Sequence, residues 1–381
     1  MPRIYLDNNA TTPVHPDVIE AMLPFYRNSF GNPSCIHWAG KAVKGALEKA
    51  RMQVASLVNC APAEVVFTSG GSESINTAIK GVAAARRTRG NHIISTRVEH
   101  SAVFNCCRYL EKEGFRVTYL EVDSEGMLDL HALATAVTDQ TVLIAAMYAN
   151  NETGVIFPVH EIGEIASQRG VYFMCDAVQA AGKVPVNFKE LRANLMALSG
   201  HKLYAPKGVG ALIIRDGTQF RPLIHGGPQE RNRRAGTENV AGIVGFGKAC
   251  EIAEASLHFE GERLCRLRDM MESGIETSIT DVKRNGHPVR RLPNTSNLSF
   301  GNVYAELLLE ELDKEGIAVS AGSACAAGSR EQSRVLSAMG MDGASMRSAV
   351  RISFGRENTE KDVEYLLGLL PVMVKRLRNK G

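Results

Sequence analysis

The sequence lacks several features that mark common classes of protein. Its eight cysteines form no CxxC pair, so neither a zinc site of the usual spacing nor a thioredoxin-like motif is indicated. No run of about 18 apolar residues is present, and the N-terminal MPRIYLDNNATTP contains no apolar signal core. We therefore predict a cytoplasmic protein that does not insert into a membrane and has no metal site.

A large excess of one charge is also lacking. The 44 basic and 41 acidic residues leave a formal net charge of only +3, too small to favour nucleic acid as a partner. The single tryptophan and nine tyrosines form no ladder on which single-stranded nucleic acid could stack. Most cysteines are expected to be reduced and buried as small hydrophobic residues.

The pattern of apolar segments indicates an α/β fold. Short apolar runs alternate with helical stretches, which predicts a mainly parallel sheet between helices. The predicted strands cover residues 64–68, 92–96, 116–120, 141–146, 171–175, 195–199 and 210–215. A long helical pattern over 239–275 predicts two helices or one bent helix that crosses a domain boundary near residue 257. Further strands at 295–300, 317–321 and 349–354 indicate a smaller α+β domain.

Candidate chemistry lies where two predicted strands end. Asp176 follows VYFMC directly and Gln179 comes three residues later, while Ser199, His201 and Lys202 lie at the end of LMALS. Ligands of open parallel sheets bind outside the carboxyl ends of strands, so both groups are expected to face one crevice. A lysine that forms a Schiff base and a carboxylate for a pyridine nitrogen are what pyridoxal phosphate requires. From spacing alone, Asp176 as a helix cap and Lys202 as a surface lysine are equally compatible.

The segment VVFTSGGSESINTAIKG predicts an anion site. It runs from a strand through two glycines into a helix, so amides around Gly70 to Ser72 and the Ser72 hydroxyl could hold a phosphate. The segment does not match the GxxxxGK[ST] motif of mononucleotide-binding loops. A capped helix with no ligand would explain the serine but not the two glycines.

A solitary cysteine, Cys325, lies in the small-residue segment SAGSACAAGS. Glycine and alanine would give this loop low local stability and let it approach a crowded site. Two interpretations follow from the residues: a surface loop with an incidental cysteine, or a loop that carries a functional thiol.

Taken together, these segments resemble a known family. The motifs YLDNNATTPV, FGNPSCIH, FTSGGSES, VEHSAV, ANNETG, DAVQAAGKVPV, SGHKLYAPKGVGAL, RRAGTEN and GSAC are similar to those of cysteine desulfurases of the NifS/IscS type, along nearly the whole chain. The resemblance implies a fold type I pyridoxal phosphate enzyme that forms a homodimer. It further implies a large cofactor-binding domain at 15–257 and a small domain made of 1–14 and 258–381.

The resemblance also implies roles for individual residues. Lys202 would bind the cofactor covalently, Asp176 would contact its pyridine nitrogen, Gln179 its ring hydroxyl, and His100 its ring face, where it could help to move protons. Asn151 would lie beside cofactor and substrate, although Asn-Glu-Thr-Gly is also good turn chemistry. Arg351 would bind the substrate carboxylate. The implied phosphate contacts are Gly71, Ser72, Ser199 and His201, with Thr237 from the other subunit.

The implied reaction converts L-cysteine to L-alanine and leaves the sulfur on Cys325 as a persulfide, which supplies an iron-sulfur scaffold or another acceptor. Two other functions remain open at this point. A class V aminotransferase or lyase would not need Cys325, and a non-catalytic sulfur-scaffold subunit would not need Lys202, Asp176 and His100 together. The chain departs from the family at Ser72, where threonine is common, and at Cys35, an additional thiol expected to pack.

Overall fold

The computed structural model describes residues 3–321 and 333–379. These residues form twelve strands, and their bounds are β1 Ile4–Tyr5, β2 Val65–Thr68, β3 His92–Thr96, β4 Arg116–Leu120, β5 Thr141–Met147, β6 Tyr172–Asp176, β7 Leu195–Ser199, β8 Gly210–Ile214, β9 Val282–Arg284, β10 Thr295–Phe300, β11 Ile317–Ala318 and β12 Ala349–Ser353.

Twelve α-helical segments accompany these strands in the described part of the chain. Their bounds are α1 Pro16–Arg27, α2 Trp38–Leu57, α3 Gly71–Arg86, α4 Ser101–Lys112, α5 Leu130–Ala136, α6 Val159–Gln168, α7 Gln229–Asn232, α8 Val240–Ser278, α9 Ala305–Lys314, α10 Arg334–Ala338, α11 Gly343–Arg347 and α12 Glu360–Arg378. None of the helices among the described residues is long and apolar enough to span a bilayer.

The largest sheet has seven strands in the order β2-β8-β7-β6-β5-β3-β4. Strands β7, β6, β5, β3 and β4 pair in parallel, and β8 runs antiparallel to both of its neighbours. This sheet confirms the predicted α/β class with a mainly parallel, mixed sheet. All seven predicted strands of this region are present, with ends that differ by one residue at most.

Alternating residues of these strands bury the two faces of the sheet. Phe67, Ile94, Ile144 and Phe173 belong to one hydrophobic cluster, and their chain neighbours Val66, Ile93, Leu143 and Met174 belong to another. Because successive side chains of a strand point to opposite faces, both faces are covered. With both faces covered, polar groups can reach a ligand only at the ends of the strands, and ligands of open parallel sheets bind at the carboxyl ends.

A second, smaller unit has its own hydrophobic cluster. Its sheet has the antiparallel order β12-β10-β9, and β1 pairs in parallel with β11. The cluster combines Ile4 and Leu6 near the N-terminus with residues between Leu264 and Leu377. The predicted division into 15–257 and 1–14 plus 258–381 stays a prediction, which this grouping supports.

Helix α8 joins the two units as one continuous helix of 39 residues. Its first part, up to Ala253, packs into the core of the large unit, and its second part, from Leu264, packs into the small one. The alternative of two separate helices was wrong because no proline interrupts the segment, and two cores hold its ends. The strand expected over 317–321 is shorter, at Ile317–Ala318, and the short strands β1 and β9 were not predicted.

Candidate active site

A cavity of about 860 Å³ opens at the carboxyl ends of the large sheet. Ten of the predicted site residues line it: Gly71, Ser72, His100, Asn151, Asp176, Gln179, Ser199, His201, Lys202 and Arg351. Thr237 is exposed and is not among the lining residues, which leaves it outside this chain's own cavity. The predicted sulfur carrier, Cys325, lies outside the described residues.

The amino end of α3 forms one end of the cavity. The helix starts at Gly71, and its N-cap, Gly70, has a φ of 149° and makes no side-chain cap hydrogen bond. The first amides of a helix have no partner within it, so they are available to an anion. A Cβ at Gly71 would lie 3.0 Å from Val178 Cγ2, so glycine keeps the helix close to the strand ends.

Polar side chains complete this end. Ser199 is the last residue of β7, and the short 3₁₀ turn Gly200–Lys202 follows it. His201 Nδ1 lies 3.2 Å from Thr11 Oγ1, and burial together with the positive charge of Lys202 lowers the pKa of His201 to about 4. The imidazole is therefore neutral at pH 7. Amides, hydroxyls and a neutral imidazole form a donor set that fits a phosphate group.

Asp176 is one of the carboxyl groups that line the cavity, and it is the last residue of β6. It is 6% exposed, and the Val178 amide donates to its Oδ1 at 3.0 Å. Burial raises the pKa of Asp176, whereas the charges of His100 and Lys202 and the hydrogen bond from Val178 oppose the rise. A protonated pyridine nitrogen would compensate the negative charge of this buried carboxylate, so Asp176 fits the ring of pyridoxal phosphate.

His100 is the N-cap residue of α4. Its Nδ1 accepts a hydrogen bond from the Ala102 amide at 3.1 Å. A ring nitrogen that accepts carries no proton, so the neutral tautomer of His100 has its hydrogen on Nε2. The helix start thus fixes both the position of the ring and the nitrogen that can exchange a proton.

Lys202 lies at the end of the 3₁₀ turn after β7. Its Nζ donates to the backbone oxygen of Asn9 at 2.6 Å and to that of Ala10 at 2.5 Å. Both acceptors belong to residues 7–12, which we call the N-terminal segment. The backbone hydrogen bond from Thr12 N to the His201 oxygen, at 3.0 Å, holds this segment next to the carboxyl end of β7.

Arg351 lies on β12 of the small unit and faces the same cavity. The sequence by itself would indicate a charge at a strand edge. Strand β12 does lie at an edge of its sheet, but Arg351 is buried, with 1% of its surface exposed. Its Nη2 donates to Asp7 Oδ1 at 2.6 Å and its Nη1 to the Asn151 oxygen at 3.0 Å. Its Nε has no partner among the described residues. A buried guanidinium with an unused donor fits a carboxylate ligand.

The sequence did not identify several residues of the site. Asp7, Asn9 and Ala10 hold the predicted residues in place, and the only signal for them was their position within YLDNNATTPV. Two buried carboxyl groups, Glu99 and Glu152, also line the cavity, each next to a predicted residue in the chain. In the described part of the chain, no group of three or more His, Cys, Asp or Glu side chains could hold a metal ion.

Comparisons with known proteins agree with this geometry. The family model of class V aminotransferases matches residues 4–366. Cysteine desulfurase 2 of Trichormus variabilis is 50% identical over 375 residues, which cover 98% of this chain and 94% of that protein.

Solved structures are similar along the same length. A NifS-like protein matches with a TM-score of 0.93 and 39% identity, over 98% of this chain and all of the other. SspA, solved in complex with cysteine, matches with a TM-score of 0.82 and 36% identity, over 92% and 98% of the two chains. These similarities confirm the predicted fold type I architecture. The chain belongs to the cysteine desulfurase family of class V aminotransferases, whose members depend on pyridoxal phosphate.

Proposed function

We propose that this protein is a cysteine desulfurase that converts L-cysteine to L-alanine and transfers the sulfur to its own Cys325. The observation that carries the proposal is the convergence of Lys202, Asp176 and Arg351 on one cavity. The identity to curated cysteine desulfurases supports the reaction, and the structure of SspA with cysteine supports the substrate.

The residues that would hold pyridoxal phosphate come mainly from the strand ends. Bound there, the cofactor supplies an electron sink for negative charge that develops at the substrate α carbon. The proposed phosphate contacts are Gly71, Ser72, Ser199 and His201; the proposed ring contacts are His100, Asn151, Asp176 and Gln179, with Lys202 as the covalent attachment.

The chain's own groups would then perform the proton transfers. Arg351 holds the substrate carboxylate through its guanidinium, which Asp7 and the Asn151 oxygen keep in a fixed orientation. Lys202, as a neutral amine, takes the proton from the α carbon and later returns a proton. The Nε2 hydrogen of His100 makes this residue a second candidate for proton transfer.

Sulfur transfer would use Cys325 as the nucleophile. Its thiolate attacks the substrate sulfur, a sulfur-sulfur bond forms, and the bond from that sulfur to the substrate β carbon breaks. In balance, L-cysteine and the Cys325 thiol give L-alanine and the Cys325 persulfide. The persulfide would supply an acceptor protein, and we propose iron-sulfur cluster assembly as its use.

We further propose a cytoplasmic homodimer in which Thr237 of the partner subunit contacts the phosphate. Support for the dimer comes from the exposure of Thr237 and of four large apolar side chains close together in sequence, Tyr26, Phe30, Ile36 and Trp38. The seven described cysteines are all free thiols, which supports a reducing compartment.

A product assay with a matched pair of variants tests the proposed function. The purified protein, incubated with L-cysteine and a thiol reductant, should release alanine and sulfide in equal amounts. Cys325→Ala should lower both by about 100-fold or more while the cofactor stays bound, whereas Cys35→Ala, which changes a partly buried thiol, should leave them unchanged. Sulfide release by Cys325→Ala at the parental rate would refute the proposal, and a requirement for an oxo-acid acceptor would indicate an aminotransferase.

A further inference from the structure

A second lysine, Lys183, lies next to the site, and the proposed chemistry does not use it. Its Nζ lies 2.5 Å from Gln179 Oε1 and 3.2 Å from Asn9 Oδ1. Both partners line the cavity, whereas Lys183 itself is not among the lining residues. Lys183 therefore contacts two residues of the site without lining the cavity itself.

The hydrogen bonds of Gln179 define the orientation of its amide. Its Oε1 accepts from Lys183, and its Nε2 donates to the Asn9 backbone oxygen at 2.9 Å. The reversed amide would place two oxygens in contact at Asn9, because a carbonyl can only accept. One of the two Nε2 hydrogens is used in this way, and the second is the donor that Gln179 can offer to a ligand.

Asn9 connects Lys183 to Lys202. The Asn9 backbone oxygen that accepts from Gln179 also accepts from Lys202 Nζ at 2.6 Å. The Asn9 side chain is held at both ends: Oδ1 accepts from Lys183 and Asn294, and Nδ2 donates to Thr295 Oγ1 and the Asn151 oxygen. Loss of Lys183 would remove a donor from Asn9 and from Gln179 at once.

Two positive charges act on Lys183. Burial lowers the pKa of Lys183 well below its usual range, and the charges of Lys202 and Arg351 lower it further. Three carboxyl groups, those of Asp176, Glu99 and Glu152, line the same cavity, and His100 and His201 also face it. The two hydrogen bonds do not require an ammonium group, since a neutral amine still donates to both oxygens.

We propose that Lys183 is a positioning residue that holds the amides of Gln179 and Asn9, so that Gln179 presents an N–H donor to the ring oxygen of pyridoxal phosphate and Asn9 presents its carbonyl oxygen to Lys202. The inference rests on the proposed site, in which Gln179 contacts that ring oxygen. Lys183 acts through these two residues and does not touch the cofactor.

The test replaces Lys183 by an apolar side chain of similar length in the holoenzyme. Lys183→Met should weaken cofactor binding about threefold to tenfold, because Gln179 would keep only its bond to the Asn9 oxygen and would present its N–H donor to the ring oxygen less well. The pH midpoint of the cofactor's visible absorbance should move upward, because an N–H donor stabilises the anionic ring oxygen and so weakens proton binding at the neighbouring nitrogen. Lys189→Met, at an exposed lysine, is the matched control and should change neither quantity.

A double-mutant cycle with Gln179→Ala separates the possible outcomes. If Lys183 acts through Gln179, Lys183→Met should add little to the shift that Gln179→Ala already causes. A shift that persists in full in the Gln179→Ala background would overturn the inference, because Lys183 would then act on the cofactor without Gln179. No shift for Lys183→Met beside a clear shift for Gln179→Ala would overturn the inference but leave the proposed site intact, and no shift for either would overturn both. Lys183→Gln, which is polar but too short to keep both bonds, serves as a second variant if the methionine variant does not fold.

Discussion

The two sides of the cavity are built differently. On one side, Asp176, Ser199 and Lys202 lie at the ends of strands in a seven-stranded sheet, and Gly71 starts a helix directly after β2. On the other side, Arg351 comes from strand β12 of the small unit, and the irregular N-terminal segment is held by the Asp7–Arg351 ion pair, by side-chain bonds and by single backbone bonds to both units. The first side depends on the regular backbone of one unit, and the second depends on contacts between two units.

This difference bears on what each side can do. On the sheet side, the residues proposed to contact the phosphate and the ring are positioned by buried strands, so their geometry should survive the loss of single side chains. The N-terminal segment instead spans both units: Asp7 pairs with Ser353 of β12, and Thr12 contacts His201 after β7. The position of Arg351 relative to Lys202 therefore depends on a short piece of chain.

The largest effect should come from Lys202→Ala on the sheet side. We expect turnover to fall by about 10³-fold or more, because both the covalent attachment and the base are lost. Folding and phosphate binding should persist, since neither depends on this side chain. Lys207→Ala, at an exposed lysine, is the control.

Reduction of the parent holoenzyme with borohydride, followed by peptide mapping, checks the same assignment. The cofactor should be found on the peptide that contains Lys202. Attachment to Lys207 or Lys183 would show that the sheet side is assigned wrongly.

A smaller effect is expected from Asp7→Ala in the N-terminal segment. The change removes the carboxylate that pairs with the buried Arg351, whose guanidinium would keep only the Asn151 oxygen among its present partners. Because the Asp7 side chain is 17% exposed, we expect a loss of about 2 kcal/mol in unfolding free energy, less than a fully buried pair would give. The KM for L-cysteine should rise as the guanidinium loses its orientation.

Thermal unfolding and steady-state kinetics measure these two effects. Asp139→Ala, at an exposed aspartate, is the matched control and should change neither. If Asp7→Ala left both stability and KM unchanged, the N-terminal segment would not support Arg351, and the contrast between the two sides would be lost.

The same contrast explains what the sequence could predict. Asp176 and Lys202 follow buried apolar strands directly, so local patterns place them at one edge of a sheet. Asn9 meets Lys202 across 193 residues of chain, and no periodicity encodes such a contact. Only the resemblance to a family pointed to the proposed role of Arg351, because strand β12 lies at an edge of its sheet and burial of Arg351 requires contacts from outside that sheet.

Helix α8 shows the same limit of sequence patterns for the fold. Its sequence is helical throughout, but the length of a helix that spans two cores depends on where those cores lie. The pattern therefore predicted helix over 239–275 and left open whether the helix was single. The short strands β1 and β9 were missed because two or three residues carry too little alternation to be recognised.

The smallest effect should come from Glu99, a carboxyl group of the sheet side that the proposed chemistry does not use. Glu99 Oε1 accepts from Thr96 Oγ1 at 2.8 Å and from the Met147 amide at 3.0 Å, and no described residue donates to its Oε2. Burial raises the pKa of Glu99 to about 8, and the nearby Asp176 contributes to the rise. At pH 7 the native protein should therefore hold a proton on Glu99 that the unfolded chain has released.

This proton makes stability depend on pH with a defined sign. Between the unfolded pKa of 4.5 and the native value of about 8, the native state binds more protons, so the contribution of Glu99 to stability falls as pH rises. Glu99→Gln is uncharged and should lose this slope. The melting temperature of the variant minus that of the parent should therefore become more positive as the pH rises from about 5.5 to about 8.5. Glu113→Gln, at an exposed glutamate, should show no such change. A constant difference between Glu99→Gln and the parent across this range would mean that Glu99 is ionised in the native protein and that the sheet side tolerates a buried charge there.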